Sequence, residues 1–146
     1  MKFQVLTSIL TSPLLTQVIA LDHNFMAYPW SEKQWRDIDE KGHLLFIGQR
    51  DHVLAFSLFH LSSAESLAHL LKIVVAPTEQ GQISTTFFAM QKESLRSRGF
   101  KRIYLEVSES NLRAQAFYNK LGFRLLHKAK GYYSDGANAL MMELSL

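Results

Sequence analysis

Two side chains of this 146-residue chain have the type and placement to move protons: Glu106, near the carboxyl end of the segment KRIYLEV, and Tyr118, inside the helix-like stretch that follows. A carboxylate can take a proton from an attacking nucleophile, and a phenol with an ordinary pKa of about 10 can give one to a leaving group. The chain has no cysteine, which removes thiolate nucleophiles, Cys-based zinc sites and disulfide scaffolds together and suits a reducing compartment. Its six histidines, at 23, 43, 52, 60, 69 and 127, form no HExxH and no pair at helical spacing beside a carboxylate. They read as surface or packing residues, and no catalytic metal is expected. Taken alone, Glu106 also suits a strand-end ion pair and Tyr118 a half-buried helix aromatic, so their surroundings must decide.

Holding two such groups in place takes a framework, and the hydrophobic pattern lays one out. A short first strand is expected at Phe3 to Leu6. Ser12 and Pro13 suit a helix cap and first turn, and Leu14, Val18, Leu21 and Phe25 then recur on one helical face. Pro29 ends that helix, and Ser31 is placed to cap a second, short one ending at Gly42. Strands at 44–49, 53–61 and 66–76 follow as an antiparallel meander, until Pro77 and Gly81 interrupt. Ile83, Phe87, Phe88, Met90 and Leu95 mark a helix closed by Gly99. KRIYLEV is a strand, Ser110 is expected to cap a helix from Asn111 to Leu121 with Gly122 as terminator, and strands at 123–129 and 139–146 complete the chain.

The order β-α-α-β-β-β-α-β-α-β-β implies an α/β (α+β) fold: a mixed, mostly antiparallel central sheet of about seven strands with helices on both faces. No repeat, low-complexity tract or linker interrupts it, so residues 1–146 are expected to form one domain. With 47% apolar and 20% charged residues, the composition excludes collagen-like, disordered and polytopic membrane classes. A net charge of +3 is too mild for a nucleic-acid footprint, and Arg96, Arg98, Lys101 and Arg102 suit a solvated helix C-terminus. Polar residues break the opening stretch, leaving Val18 to Leu21 as its longest apolar run, far short of a signal core or a span of roughly 20 residues. A cytoplasmic protein without membrane or direct nucleic-acid contact is expected, as a monomer or weak homodimer.

The stretch Leu105-Glu106-Val107-Ser108-Glu109-Ser110-Asn111, continued by Ala114, Ala116, Phe117-Tyr118 and Leu121-Gly122-Phe123, closely resembles the second half of GNAT-type acetyl-CoA-dependent N-acetyltransferases. Within that family, Pro29-Trp30-Ser31-Glu32 and Tyr132-Tyr133 resemble the branch that acetylates the amino-terminal alanine of a ribosomal protein, S18. By order and spacing of elements the likeness covers about the whole chain. It implies acetyl-CoA as co-substrate and an amine as acceptor, with no metal and no covalent enzyme intermediate. Glu106 resembles the general base, acting directly or through water, and Tyr118 the acid that protonates the departing thiolate. The resemblance also implies that Asn111 bonds a pantetheine amide, although Asn equally suits a helix cap. Backbone groups of Ile73, Val74 and Val75 would pair with pantetheine where their strand splays from its neighbour.

One segment departs from the family. Where its members place Gln/Arg-x-x-Gly-x-Gly/Ala, this chain has Glu79-Gln80-Gly81-Gln82-Ile83-Ser84-Thr85-Thr86. Gln82 and Ser84 occupy the glycine positions, in a loop about one residue short. Gly81 lies one position early, and the hydroxyls of Ser84, Thr85 and Thr86 can donate to phosphate or merely cap the helix. Residues 80–85, namely Gln80, Gly81, Gln82, Ile83, Ser84 and Thr85, are therefore the expected diphosphate contacts, with coenzyme binding retained but weakened.

Trp30 and Tyr133 lie on two loops that, by the same resemblance, flank the groove for a peptide amino terminus; Trp30 also suits a fold anchor. A protein N-terminus is the first acceptor expected. A small amine is the second, and would favour acids at the mouth, where only Glu32 and Asp135 stand. A catalytically silent CoA- or protein-binding module is the third, suggested by the eroded loop.

Overall fold

The computed structural model describes residues 1–146, the side chain of Gln82 excepted. Seven strands, β1 (Lys2–Leu6), β2 (His43–Gln49), β3 (Val53–Ser62), β4 (Leu67–Val75), β5 (Arg102–Ser108), β6 (Arg124–Ala129) and β7 (Ala139–Ser145), form one sheet in the order β1-β2-β3-β4-β5-β7-β6. Neighbours are antiparallel except β4 and β5, which are parallel and connected through the helix α3 (Gln82–Ser97). Helices α1 (Leu15–Phe25) and α2 (Glu32–Arg36) cover one face, and α3 with α4 (Leu112–Lys120) covers the other. The expected element order and mostly antiparallel sheet are present. Insertion of β7 between β5 and β6 is a product of long-range pairing.

Three helix boundaries differ from the sequence expectation, each for a local reason. The Ser12 hydroxyl accepts from the Leu14 amide at 3.2 Å within a turn, so α1 starts at Leu15 with no side-chain cap. Ser31 does cap α2, in a reciprocal box with Gln34 at N3, but that helix stops at Arg36 because the chain turns again at Asp39, whose carbonyl accepts from Gly42. Asn111, rather than Ser110, caps α4: its side-chain oxygen accepts from the Ala114 amide at 3.1 Å.

Each sheet face buries its own apolar cluster. Phe46, Phe59, Phe87, Phe88 and Leu105 pack between the sheet and α3/α4, and Val18, Trp35, Ile47 and Phe56 between the sheet and α1/α2. Full burial of such a side chain contributes roughly 1.5–3 kcal/mol, so both layers are firmly clamped on the sheet.

The feature that shapes the site lies in β4. Leu58 faces Lys72 and Phe59 faces Leu70 across the ladder with β3, which leaves Leu71 as an extra, bulged residue. One inserted residue reverses the facing of all that follow. Ala68 and Leu70 pack into the α3/α4 layer, whereas Lys72 and Val74 turn to the α1 layer. On its other edge β4 pairs with β5 only at Leu67–Arg102, Ala68–Ile103 and His69–Tyr104, after which the two strands part.

Candidate active site

Where β4 and β5 separate, a cleft of about 1060 Å³ opens, lined by Leu70, Ile73 and Val75 on one side and by Glu106, Ser108 and Tyr118 on the other. It runs through the sheet. Ile103, Leu105 and Val107 of β5 are buried in the α3/α4 layer, so alternation turns Tyr104, Glu106 and Ser108 to the α1/α2 side. Tyr118 belongs to the α3/α4 cluster. The carboxylate and the phenol therefore meet one gap from opposite faces of the sheet.

Glu106 is 16% exposed, and its Oε2 lies 2.7 Å from Nε2 of His69 on β4, close enough for the ring N–H to donate to the carboxylate. The His69 ring meets Tyr104 edge-on at 5.1 Å. Three phenols gather round this pair. Burial first, and then the Glu106 carboxylate, raise the pKa of Tyr104, Tyr132 and Tyr133, the last being pushed up to about 12. Burial, with Tyr133 adding to it, lifts the Tyr118 phenol far above its ordinary value. It therefore keeps its proton to higher pH than an ordinary phenol.

The cleft's far end is the start of α3. Gly81 precedes the helix at φ +91° and ψ −117°, a conformation that side-chain-bearing residues rarely adopt. Gln80, Gly81, Ser84 and Thr85 line this end, with Asn111 and Arg113 of α4 opposite. Gln80 bridges the two sides: its Nε2 donates to the Val75 carbonyl at 3.2 Å and its Oε1 accepts from Arg113. The start of a 16-residue helix, two hydroxyls and a guanidinium thus line this end of the cleft, groups of the kind that can donate to an anion. Gln82 opens α3, and its side chain lies outside the described residues.

At the near end, Tyr28 from the α1–α2 connection stacks on Tyr133 from the β6–β7 loop, with centroids 4.5 Å apart and planes at 4°. The Tyr28 hydroxyl donates to Asp135 at 2.7 Å. Both Asp135 oxygens are committed, the second accepting from the Ala137 amide at 2.9 Å, and Glu32 pairs with Arg36 at 2.9 Å. Beneath the connection lies an ion pair, Lys72 Nζ to Asp22 Oδ1 at 2.7 Å, whose side chains are 2% and 0% exposed.

Most of the expected site residues converge on this cleft: Glu106, Tyr118, Asn111, Tyr133, Ile73, Val75, Gln80, Gly81, Ser84 and Thr85. Among the described residues, Val74, Ile83 and Trp30 do not line it. Val74 faces the α1/α2 core, and Trp30 packs edge-on against Trp35 at 5.1 Å over the Lys72 ammonium. His69 and Arg113 were not singled out from sequence. His69 lies 37 positions from its carboxylate partner and meets it only through parallel pairing.

A sheet whose two parallel strands part beside a carboxylate and a buried phenol defines the class. The sequence profile of the Acetyltransferase (GNAT) family matches residues 10–123, and the chain belongs to that family: it is an acetyl-CoA-dependent N-acetyltransferase. Among curated relatives, the [ribosomal protein bS18]-alanine N-acetyltransferase of Escherichia coli K12 is 32% identical over 125 residues, covering 82% of this chain and 83% of that protein. An N-alpha-acetyltransferase of Saccharolobus solfataricus is 36% identical over 84 residues, and the match spans 56% of this chain and 50% of that protein's length. In three dimensions the crystal structure of the ribosomal-protein-S18-alanine N-acetyltransferase from Escherichia coli superposes with a TM-score of 0.83 at 28% identity, over 99% of this chain and 94% of that one.

Proposed function

We propose that the protein transfers the acetyl group of acetyl-CoA to the α-amino group of a protein N-terminus, an amino-terminal alanine such as that of ribosomal protein S18. The observation that carries this reading is the placement of Glu106 and Tyr118 on opposite faces of one gap between parting strands. An amine entering from the α1/α2 side meets the carboxylate, and a leaving group on the other side meets the phenol. The substrate for which these relatives are named, a ribosomal protein, supports a protein acceptor. So does the mouth, where Asp135 and Glu32, the acids a polycation would need, are already bonded within the chain. A ribosomal-protein acceptor fits a cytoplasmic site of action, and among the described residues no helix is long and apolar enough to cross a membrane.

Acetyl-CoA supplies an activated thioester acetyl group. Backbone groups of Ile73, Val74 and Val75, on the β4 edge that β5 leaves unpaired, offer pantetheine a strand-like partner. The Asn111 carbonyl is spent on the helix cap, so its amide N–H groups are what it offers to that chain. Gly81, Ser84, Thr85 and Arg113 hold the diphosphate. Glu106, fixed by His69, takes the proton that the attacking amine must lose, directly or across one water. As the N–C bond forms and the C–S bond breaks, Tyr118 donates its O–H to the departing sulfur. Glu106 then gives its proton to solvent and Tyr118 regains one from it, which restores both groups.

Release of free CoA, assayed with an N-terminal Ala peptide, with polyamines and with no acceptor, tests the proposal. Turnover with peptide and a fall of roughly 10²–10⁴ in kcat for Glu106→Gln are expected. Equal rates in wild type and variant would reject the base, and absence of thermal stabilisation at millimolar CoA would reject coenzyme use.

A further inference from the structure

The mechanism above makes no use of the buried Lys72–Asp22 pair, although burying two charges is expensive and an apolar pair of similar volume is often as stable. What the pair holds is specific. Lys72 Nζ donates to the Tyr28 carbonyl at 3.1 Å and lies 5.2 Å from the centre of the Trp30 ring. Asp22 Oδ2 accepts from the Trp30 amide at 2.8 Å and from Trp35 Nε1 at 3.2 Å. These bonds end in residues 26–31, a connection with no helix or strand of its own, or in the helix just after it. The bulge at Leu71 is what turns Lys72 toward α1 at all.

Fixing the Tyr28 carbonyl fixes where its ring can go. That ring stacks on Tyr133, its hydroxyl is bonded to Asp135, and Tyr133 stands in the electrostatic field of Glu106. A continuous line of contacts thus runs from the β4 bulge, through the ion pair, to both loops at the near end of the cleft.

We propose that Lys72 and Asp22 are positioning residues for the acceptor: the pair locks the 26–31 connection so that Tyr28 and Tyr133 stand as one wall of the acceptor groove beside Glu106. It rests on the acceptor reading given above. The proposed diphosphate contacts, Gly81, Ser84, Thr85 and Arg113, lie at the opposite end of the cleft, and the side chains of the pair face the 26–31 connection, so the pair acts on acceptor recognition rather than on the coenzyme's anionic end.

The test uses the full chain and an N-terminal Ala peptide. Lys72→Met/Asp22→Asn removes both charges together and avoids leaving either one buried alone. A tenfold or larger rise in peptide KM is expected, with the acetyl-CoA KM within twofold of wild type. Hydrogen exchange across 26–31 is expected to quicken at least tenfold while β4 and β5 keep their protection. Tyr28→Leu, a change at the end of the line and outside the core, must give the same split between the two KM values, and it keeps the test decisive where the double variant does not fold. An unchanged peptide KM, unchanged exchange in 26–31, or an equal rise in both KM values would overturn the proposal. Failure of the wild type itself to acetylate any peptide is a different result: it overturns the acceptor reading and this inference with it.

Discussion

Replacing Lys72 alone by Met converts the buried pair into a buried lone carboxylate, and the contacts bound the cost. Breaking a buried ion pair from one side costs about 3–5 kcal/mol. Asp22 would keep the Trp30 and Trp35 donors at 2.8 and 3.2 Å, which places Lys72→Met near the lower end, at about 3 kcal/mol. With an unfolding entropy of about 2.1 cal/mol/K per residue, a chain of 146 residues loses about 10 °C in Tm for that change. Lys72→Met/Asp22→Asn, with no charge left unpaired, is expected to lie within about 1 kcal/mol of wild type. Urea unfolding followed by far-ultraviolet circular dichroism, with the m-value required to stay constant, reads all three proteins. A loss below about 1 kcal/mol for Lys72→Met, or a double variant as destabilised as Lys72→Met, would refute the assignment of the pair as mutually compensating buried charges.

Other outcomes follow from single features of the site. Gly81→Ala places its Cβ in open space, so its cost is purely that of the backbone at φ +91°, about 1–3 kcal/mol, accompanied by weaker CoA binding in calorimetry; an unchanged Tm would contradict the observed loop. His69→Phe keeps an aromatic ring against Tyr104 but removes the bond to Glu106, which as a charge-assisted hydrogen bond of about 1.5–3 kcal/mol corresponds to a roughly 10–100-fold loss of kcat/KM. CoA affinity should be unaffected, and a parallel loss of it would show that His69 merely supports the cleft. The rate against pH should climb as the acceptor amine, with an ordinary pKa of about 7.7–8.0, loses its proton. Because a raised pKa means that Tyr118 keeps its proton to higher pH, no descending limb is expected near pH 10, and one centred there would contradict the buried phenol.

Local signals in the sequence reached as far as local causes do. Amphipathic spacing located α1 and α3, a capping residue and the terminator Gly122 located α4, apolar segments bounded by turns located the strands, and Ser31 announced its cap, because each depends on neighbours within a few residues. Ser110 and Asn111 are adjacent, and both are good caps, so only the backbone geometry of the turn selects Asn111. The bulge at Leu71 left no trace in the apolar pattern, since burial in β4 alternates without a break while the buried residues change layer. The facing of Lys72 toward Asp22, 50 positions away, was hidden for that reason, and a lysine in an apolar strand was the one available hint. Trp30, expected as either a groove contact or a fold anchor, packs against Trp35 away from the cleft lining, and the nearby Tyr28 supplies a half-buried ring at the cleft's near end.

The brief parallel junction of β4 with β5 divides the sheet into two panels, β1 to β4 and β5-β7-β6, joined by three residue pairs. A long thin molecule lying in the opening would supply the missing rungs of the ladder and staple one panel to the other. Such a ligand is then a structural member as well as a reactant. Saturation with coenzyme should raise the resistance of both panels to unfolding together, and the empty protein should breathe most along that seam.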